Sequence, residues 1–172
     1  DDILDLSRLE ANQLIISKKQ VNILRVFNEI AANWQVIQKE RTDEVIFEFE
    51  YGIPNNELVI NSDSSRIKQI VNNLIDNAFK FTCLGKVKLT AYIRQNKLVF
   101  QVTDTGIGIG KDSLPFIFDR FRKSEESNNK NYRGAGLGLT ISKKLAQLLG
   151  GELWVESTFG QGSTFYLELP LT

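Results

Sequence analysis

A single α/β domain is what this sequence predicts, on three observations. At 172 residues and 42% hydrophobic content, the chain carries enough apolar material for one sizeable core and too little for a second full domain. Apolar residues recur at helical spacing in some stretches and alternate at strand spacing in others. The two kinds of stretch interleave along the chain.

Asp1–Asn12 reads as the last turns of a longer helix, with Ile3, Leu6 and Leu9 on one face and too few residues to be stable alone. Leu24, Phe27, Ile30, Ala31, Trp34 and Ile37 define an amphipathic helix ending near Glu40–Asp43. Val45–Tyr51 alternates as a strand, Leu58–Ile60 is a short second one, and Asp63 or Ser62 caps the next helix. Val87–Ile93 and Leu98–Thr103 form a hairpin about the turn Arg94–Lys97. Ser113–Phe121 is expected as a short helix, and the polar run Arg122–Arg133 as a mobile loop. Leu139–Leu149 is a helix stopped by Gly150–Gly151, followed by a closing hairpin of Glu152–Ser157 and Thr164–Leu169.

Composition excludes several classes of function. Lys plus Arg and Asp plus Glu both number 21, so no net basic field draws the chain to nucleic acid or an anionic membrane. One cysteine, Cys83, forbids an internal disulfide, and the absence of histidine leaves a Zn cluster almost without ligands; a reducing compartment is expected. No apolar run approaches the roughly 20 residues that span a bilayer. The absence of methionine, an initiator included, leads us to expect an excised fragment.

Three segments carry chemistry. In the helix containing Asn72–Thr82, Ile67, Ile70, Val71, Leu74, Ile75 and Ala78 fill a core-facing stripe of about 140°, and Asn73, Asn77 and Lys80 cluster away from it. That face also fits a solvated surface, but mid-helix asparagines are poor helix formers, better tolerated with work to do. An amide oxygen is a neutral ligand for Mg²⁺, which makes Asn77 the metal candidate, and Lys80 offers a point charge to phosphate. On the same wheel Asp76, the one acid near this face, reads as poorly placed to activate water.

Asp104 heads the second segment, DTGIGIG, at a strand end, and Gly106 and Gly108 permit a turn or a close approach. A carboxylate accepts from the exocyclic amine of adenine, whereas guanine presents a carbonyl there. The loop also fits an Asx turn closing a strand. In the third segment, Gly134, Gly136 and Gly138 precede a helix whose free N–H groups form a phosphate cradle, although such a triplet also fits a flexible turn. Gly110–Lys111 is not a P-loop, because Asp112 and Thr105 break the pattern, and neither glycine run fits a Rossmann fingerprint.

With these residues in hand, the chain resembles, over nearly its whole length, the catalytic ATP-binding domain of sensor histidine kinases. That family lies within the ATPase group of gyrase B, the heat-shock ninety chaperones and the MutL proteins. Asn73, Asn77 and Lys80 match the asparagine box, Asp104, Gly106 and Gly108 the first glycine box, and Phe118 and Phe121 the phenylalanine box. Gly134, Gly136 and Gly138 match the second glycine box, and Gly160–Thr164 the closing turn. Gly110 and Arg133 depart from the commoner proline and glycine without removing a ligand.

The resemblance implies a two-layer sandwich, a mixed β-sheet with helices on one face in the Bergerat-type ATP-binding fold. It implies that residues 1–20 are the stump of the dimerisation and phosphoacceptor hairpin with its linker, and 21–172 the catalytic domain. ATP and Mg²⁺ are the implied cofactors. Asn77 would hold the metal, Asn73 and Lys80 would contact the phosphates in the transfer, and Asp104, Gly106, Gly108 and Thr164 would surround the base. Arg133, Gly134, Gly136, Leu137 and Gly138 would line the phosphates, under a lid at Arg122–Arg133 bearing Lys123, Lys130 and Arg133. The implied partners are the hairpin that carries the acceptor histidine and a response-regulator receiver domain, with no nucleic acid and no membrane contact. The implied location is a cytoplasmic domain of a membrane-anchored parent. An ATP-driven clamp of the same group, or a nucleotide-binding module without chemistry, are the competing functions.

Overall fold

The computed structural model describes residues 2–120 and 136–172; the expected lid and Phe121 fall outside the described residues. Elements run α1 (Asp2–Glu10), β1 (Lys19–Asn22), α2 (Ile23–Glu40), β2 (Glu44–Tyr51), β3 (Val59–Ser62), α3 (Ser64–Lys80), β4 (Leu84–Arg94), β5 (Lys97–Asp104), a 3₁₀ turn (Leu114–Phe116), α4 (Gly138–Leu148), β6 (Glu152–Thr158) and β7 (Gly162–Pro170).

Five strands form one sheet in the order β2-β4-β5-β7-β6. β2 runs parallel to β4 and every other pairing is antiparallel, so the sheet is mixed. A parallel pair needs a crossover, and α3 lies within it. Alternation decides which face is covered: Val87, Leu89 and Ala91 of β4, Leu98, Phe100 and Val102 of β5, and Leu167 and Leu169 of β7 are fully buried. Their neighbours Lys88, Thr90, Gln101, Thr103, Thr164 and Tyr166 keep partial exposure on the other face. α2, α3 and α4 pack on the buried side, giving the expected two layers.

Local chemistry explains the joints. Gln95 and Asn96 both adopt positive φ, the two-residue turn that matches the twist of a hairpin. After α4, the Gly151 N–H bonds the Ala146 carbonyl and the Gly150 N–H bonds the Gln147 carbonyl, with Gly150 at φ +79: a Schellman cap. On α2 the buried stripe is shifted from the expected one, with Ile23 and Val26 in the core and Leu24 and Ile37 half-buried at its edge.

Two elements differ from expectation. β1 pairs antiparallel with β3 as a separate ribbon, and only Val21 of its four residues is buried, so it leaves no alternation to read. Ser113–Phe121 is not an α-helix in its described part, which contains a single 3₁₀ turn. Pro115 lacks an N–H, the bonds Phe116 N to Ser113 O and Asp119 N to Phe116 O both span three residues, and the Phe118 carbonyl accepts from Thr140 Oγ1 instead of from a helical N–H.

Asp63 joins the ribbon to α3. Its Oδ1 caps the helix through the N–H groups of Ser65 and Arg66, and its Oδ2 accepts from the Ser17 N–H at 2.9 Å. Asp63→Ala strips the partner from all three donors, and denaturant titration is expected to read a loss of about 2 kcal/mol.

Candidate functional site

The rotation of α3 is fixed on both sides of the helix. Its apolar stripe is buried as the spacing requires, with Phe79 added, stacked on Trp34 at 5.3 Å. Trp34 Nε1 donates to Asn72 Oδ1 at 2.9 Å, which ties the first asparagine to α2. Asn73, Asn77 and Lys80 are left, half-buried, on the far side.

Asn73 meets α4. Its Nδ2 donates to Ser142 Oγ at 3.0 Å, and a Cβ on Gly138 would lie 2.4 Å from its Oδ1, so a larger residue there would have to displace the Asn73 amide. The Asn77 amide has no hydrogen-bond partner among the described residues. Lys80 Nζ lies 2.7 Å from Asp76 Oδ2. This corrects the wheel reading of Asp76: four residues apart on a helix are about 40° apart, which makes the acid a neighbour of the polar cluster. Removing this counter-ion frees Lys80 for an anion. Asp76→Asn is expected to tighten triphosphate binding about two- to threefold at low salt, a gain that calorimetry should find gone at high salt.

The second group forms where β5 ends. Asp104 is 6% exposed and pairs in register with Ser163 of β7. Its Oδ1 accepts from the Gly106 N–H at 2.9 Å and from the Ser163 N–H at 3.3 Å, while Oδ2 has no partner among the described residues. The Asx turn therefore takes one oxygen and leaves the other open among the described residues. Burial pushes the carboxyl pKa up, against the smaller downward pull of the two N–H groups.

The loop after Asp104 is wedged between two elements. The Ile107 N–H bonds the Phe81 carbonyl at the end of α3, and the Ile107 carbonyl accepts from the Gly160 N–H in the β6–β7 turn. A Cβ on Gly106 would stand 2.2 Å from the Phe81 carbonyl oxygen, and one on Gly108, at φ +69, the same distance from that of Thr158. The glycines serve close approach at both positions and a left-handed backbone at the second.

Other expected residues sit differently. Thr164 lies on the opposite sheet face from Asp104 and bonds Thr103 Oγ1 at 3.3 Å, so the structure does not bring it to the carboxylate. Ser163, one residue earlier, takes that place. The signal was available: Phe165, Leu167 and Leu169 alternate into the core, which puts position 163 on their face. Ser142 and Ser157 were also missed, since nothing local distinguishes them from other serines.

Leu137 is 1% exposed with its side chain in the core, which leaves only its backbone for a ligand. Gly136 takes φ +70 just before α4, whose first turn has no side-chain cap. Phe118 stands edge-on to Phe165, with Lys143 Nζ 5.2 Å above its ring, fastening its segment to β7 and α4. Phe121, Lys123, Lys130, Arg133 and Gly134 lie outside the described residues.

The open Asp104 Oδ2, the Asn77 amide without a partner among the described residues, Lys80, and the start of α4 at Gly138 without a side-chain cap thus lie in a row along α3. From Asn73 to Phe81 it runs about 12 Å at helical rise. Among the described residues no three His, Cys, Asp or Glu side chains form a metal cluster. A cation bound at Asn77 would therefore take its charged ligands from phosphate. A shallow depression along α2, which includes Leu24, Arg25, Asn28 and Ala32, shares no residue with these groups.

Comparison with known proteins bears on the same residues. A family model described as histidine kinase-, DNA gyrase B-, and HSP90-like ATPase matches residues 62–172. The autoinducer 2 sensor kinase/phosphatase LuxQ of Vibrio vulnificus is 37% identical over 99% of this chain and 20% of its own length. The circadian input-output histidine kinase CikA of Synechococcus elongatus is 36% identical over 99% of this chain and 22% of its own. The chain thus spans about a fifth of these relatives. Among solved structures, full-length ShkA in complex with AMPPNP superposes with a TM-score of 0.83 at 31% identity, covering 98% of this chain and 34% of that one. The catalytic domain of the histidine kinase ThkA gives 0.72 at 27%, covering 91% and 99%.

Proposed function

The chain belongs to the histidine kinase-, DNA gyrase B- and HSP90-like ATPase family, and from that premise we propose that it is the ATP-binding catalytic domain of a sensor histidine kinase. It holds Mg-ATP and presents the γ-phosphate to a histidine outside the chain, which itself has none. The observation that carries this reading is the single line of groups along α3. The loop that follows Asp104 stands at its C-terminal end and the α4 N-terminus beside Asn73 at the other.

Each residue then has a chemical part. Asp104 Oδ2 accepts from the adenine amine, while Gly106 and Gly108 let the backbone shape the pocket. Lys80, released from Asp76, neutralises phosphate oxygens. The first N–H groups of α4 at Gly136–Gly138 receive phosphate, and Asn73 works by holding that helix end through Ser142 and Gly138. The Asn77 amide oxygen fits a hard cation, and bound Mg²⁺ would supply charge neutralisation and orientation of the phosphates. Catalysis by this domain is positioning and electrostatics.

Residues 1–20 are read as the end of the phosphoacceptor hairpin with its linker, and 21–172 as the catalytic domain. In support, α1 is fastened to the domain through Asp5 with Arg66 and Gln69, and through Glu10 with Arg120. The partners proposed are that hairpin and the receiver domain of a response regulator. No helix among the described residues is long and apolar enough to cross a membrane; the proposed parent places this domain on the cytoplasmic side of a membrane anchor.

The test restores the upstream hairpin and follows labelled γ-phosphate into an acid-labile, histidine-linked product. Transfer with the hairpin, and binding without transfer in its absence, is the expected result. Binding without transfer in both rejects the kinase reading in favour of a nucleotide-sensing module.

A further inference from the structure

One hydroxyl joins three segments around the pocket. Ser157 Oγ on β6 lies 2.8 Å from the Ile109 N–H of the glycine loop, 2.9 Å from the Gly162 carbonyl oxygen of the β6–β7 turn, and 2.8 Å from Ser163 Oγ. A serine hydroxyl has one proton and two acceptor lone pairs. A carbonyl only accepts, so the Ser157 proton goes to Gly162. The Ile109 N–H only donates, and it takes one lone pair. A single lone pair remains for Ser163, whose own hydroxyl must supply the proton. Only this assignment makes all three contacts hydrogen bonds.

The consequence falls on Ser163. It faces Asp104 across the β5–β7 register, and its N–H already donates to Asp104 Oδ1. A free hydroxyl there would turn to the carboxylate, a stronger acceptor than another hydroxyl, and compete with a ligand for it. With its proton committed to Ser157, Ser163 Oγ can only accept. The Asp104 pocket then offers acceptors from both residues.

We propose that Ser157 is a positioning residue for base recognition: it pins the Asp104–Gly110 loop to the β6–β7 turn and keeps the Ser163 proton off the Asp104 carboxylate, so that the pocket selects a purine bearing amino hydrogens. This rests on the nucleotide reading of the site. It assigns to a residue on β6 a share of the specificity carried by Asp104 on β5.

The experiment measures calorimetric affinity of the whole chain for Mg-ATP and for the Mg complex of purine riboside triphosphate, which lacks the 6-amino group. Ser157→Ala is expected to weaken Mg-ATP about tenfold and the purine analogue about twofold at most, so that discrimination between them collapses. Ser157→Thr, which keeps the hydroxyl, should restore the ratio. Adding Ser163→Ala to Ser157→Ala removes the proton that turns to Asp104 and should recover part of the discrimination, a coupling that a scaffold role does not produce. If Ser157→Ala does not fold, Ser157→Cys, with its weak donor and acceptor, takes its place. Equal losses for the two triphosphates, no loss for either, or a double variant that discriminates less than Ser157→Ala overturns the assignment while leaving nucleotide binding standing. Failure of the unmodified protein to bind either triphosphate overturns the nucleotide reading and this assignment together.

Discussion

Asn77→Ala abolishes Mg²⁺-dependent nucleotide binding, with an expected loss of at least about a hundredfold in affinity, equivalent to roughly 3 kcal/mol, and leaves the fold intact. The two halves of this expectation come from the same helix. Asn77 makes no side-chain hydrogen bond to the described residues and stands off the stripe that buries Ile70, Leu74 and Ala78, so no packing is lost. Alanine is also the better helix former, by about half a kcal/mol, and thermal unfolding should show an unchanged or slightly raised midpoint. The affinity loss should be confined to titrations with Mg²⁺ present, because the role proposed for the amide oxygen is toward the cation and not the base. Unchanged affinity in Mg²⁺ would remove Asn77 as the metal ligand. A lowered midpoint would make it a structural residue.

Asp104→Asn moves binding and stability in opposite directions. Burial holds the folded-state pKa of this carboxyl above its ordinary value, so the folded chain takes up the proton more readily than the unfolded one. The stabilising contribution of such a group is complete below the ordinary aspartate range and is lost as pH rises through the raised folded value. At neutral pH the ionised carboxylate therefore costs stability. Asparagine keeps an oxygen for the N–H groups of Gly106 and Ser163 and has no charge to desolvate, so Tm at neutral pH should rise, with a gain that shrinks toward acid pH. Nucleotide affinity should fall by about ten- to a hundredfold as the proposed charge-assisted bond to the adenine amine becomes a neutral one. A joint fall of Tm and affinity would mean that the carboxylate serves the fold. Equal binding of ATP and GTP by the unmodified protein would deny its adenine-reading role.

What the sequence made legible, and what it did not, divides along the range of the interactions involved. The stripe on α3, the β4–β5 hairpin and the glycine stop of α4 are set by residues within a few positions of one another, and they stand where the periodicity puts them. β1 is held by its pairing with β3 and by the Asp63 carboxylate 46 positions from Ser17, and a local pattern carries no trace of that. The site divides in the same way. Asn73 and Asn77 stand out as poor helix formers in mid-helix, Lys80 joins them at spacings of seven and three, and Asp104 heads a glycine loop at a strand end, all patterns of a few neighbouring positions. Ser142, Ser157 and Ser163 are ordinary serines until the tertiary fold brings them to Asn73, Ile109 and Asp104. Thr164 was chosen from the resemblance of its motif, and the alternation of β7 displaces it by one residue to Ser163. Asp76 stands beside Lys80 by an i,i+4 relation that the sequence alone displays.

The pairing of Asp104 with Ser163 also makes the two strands work like a reading frame. Side chains alternate faces along a strand, so shifting β7 by one residue against β5 would bring Thr164 under the carboxylate and turn Phe165, Leu167 and Leu169 out of the core. Unlike most surface loops, the short Phe159–Gln161 turn therefore cannot absorb an odd change in length at the expense of β7. A one-residue insertion there that slipped the strand would change the side chain facing Asp104 in the same event that disturbed its folding.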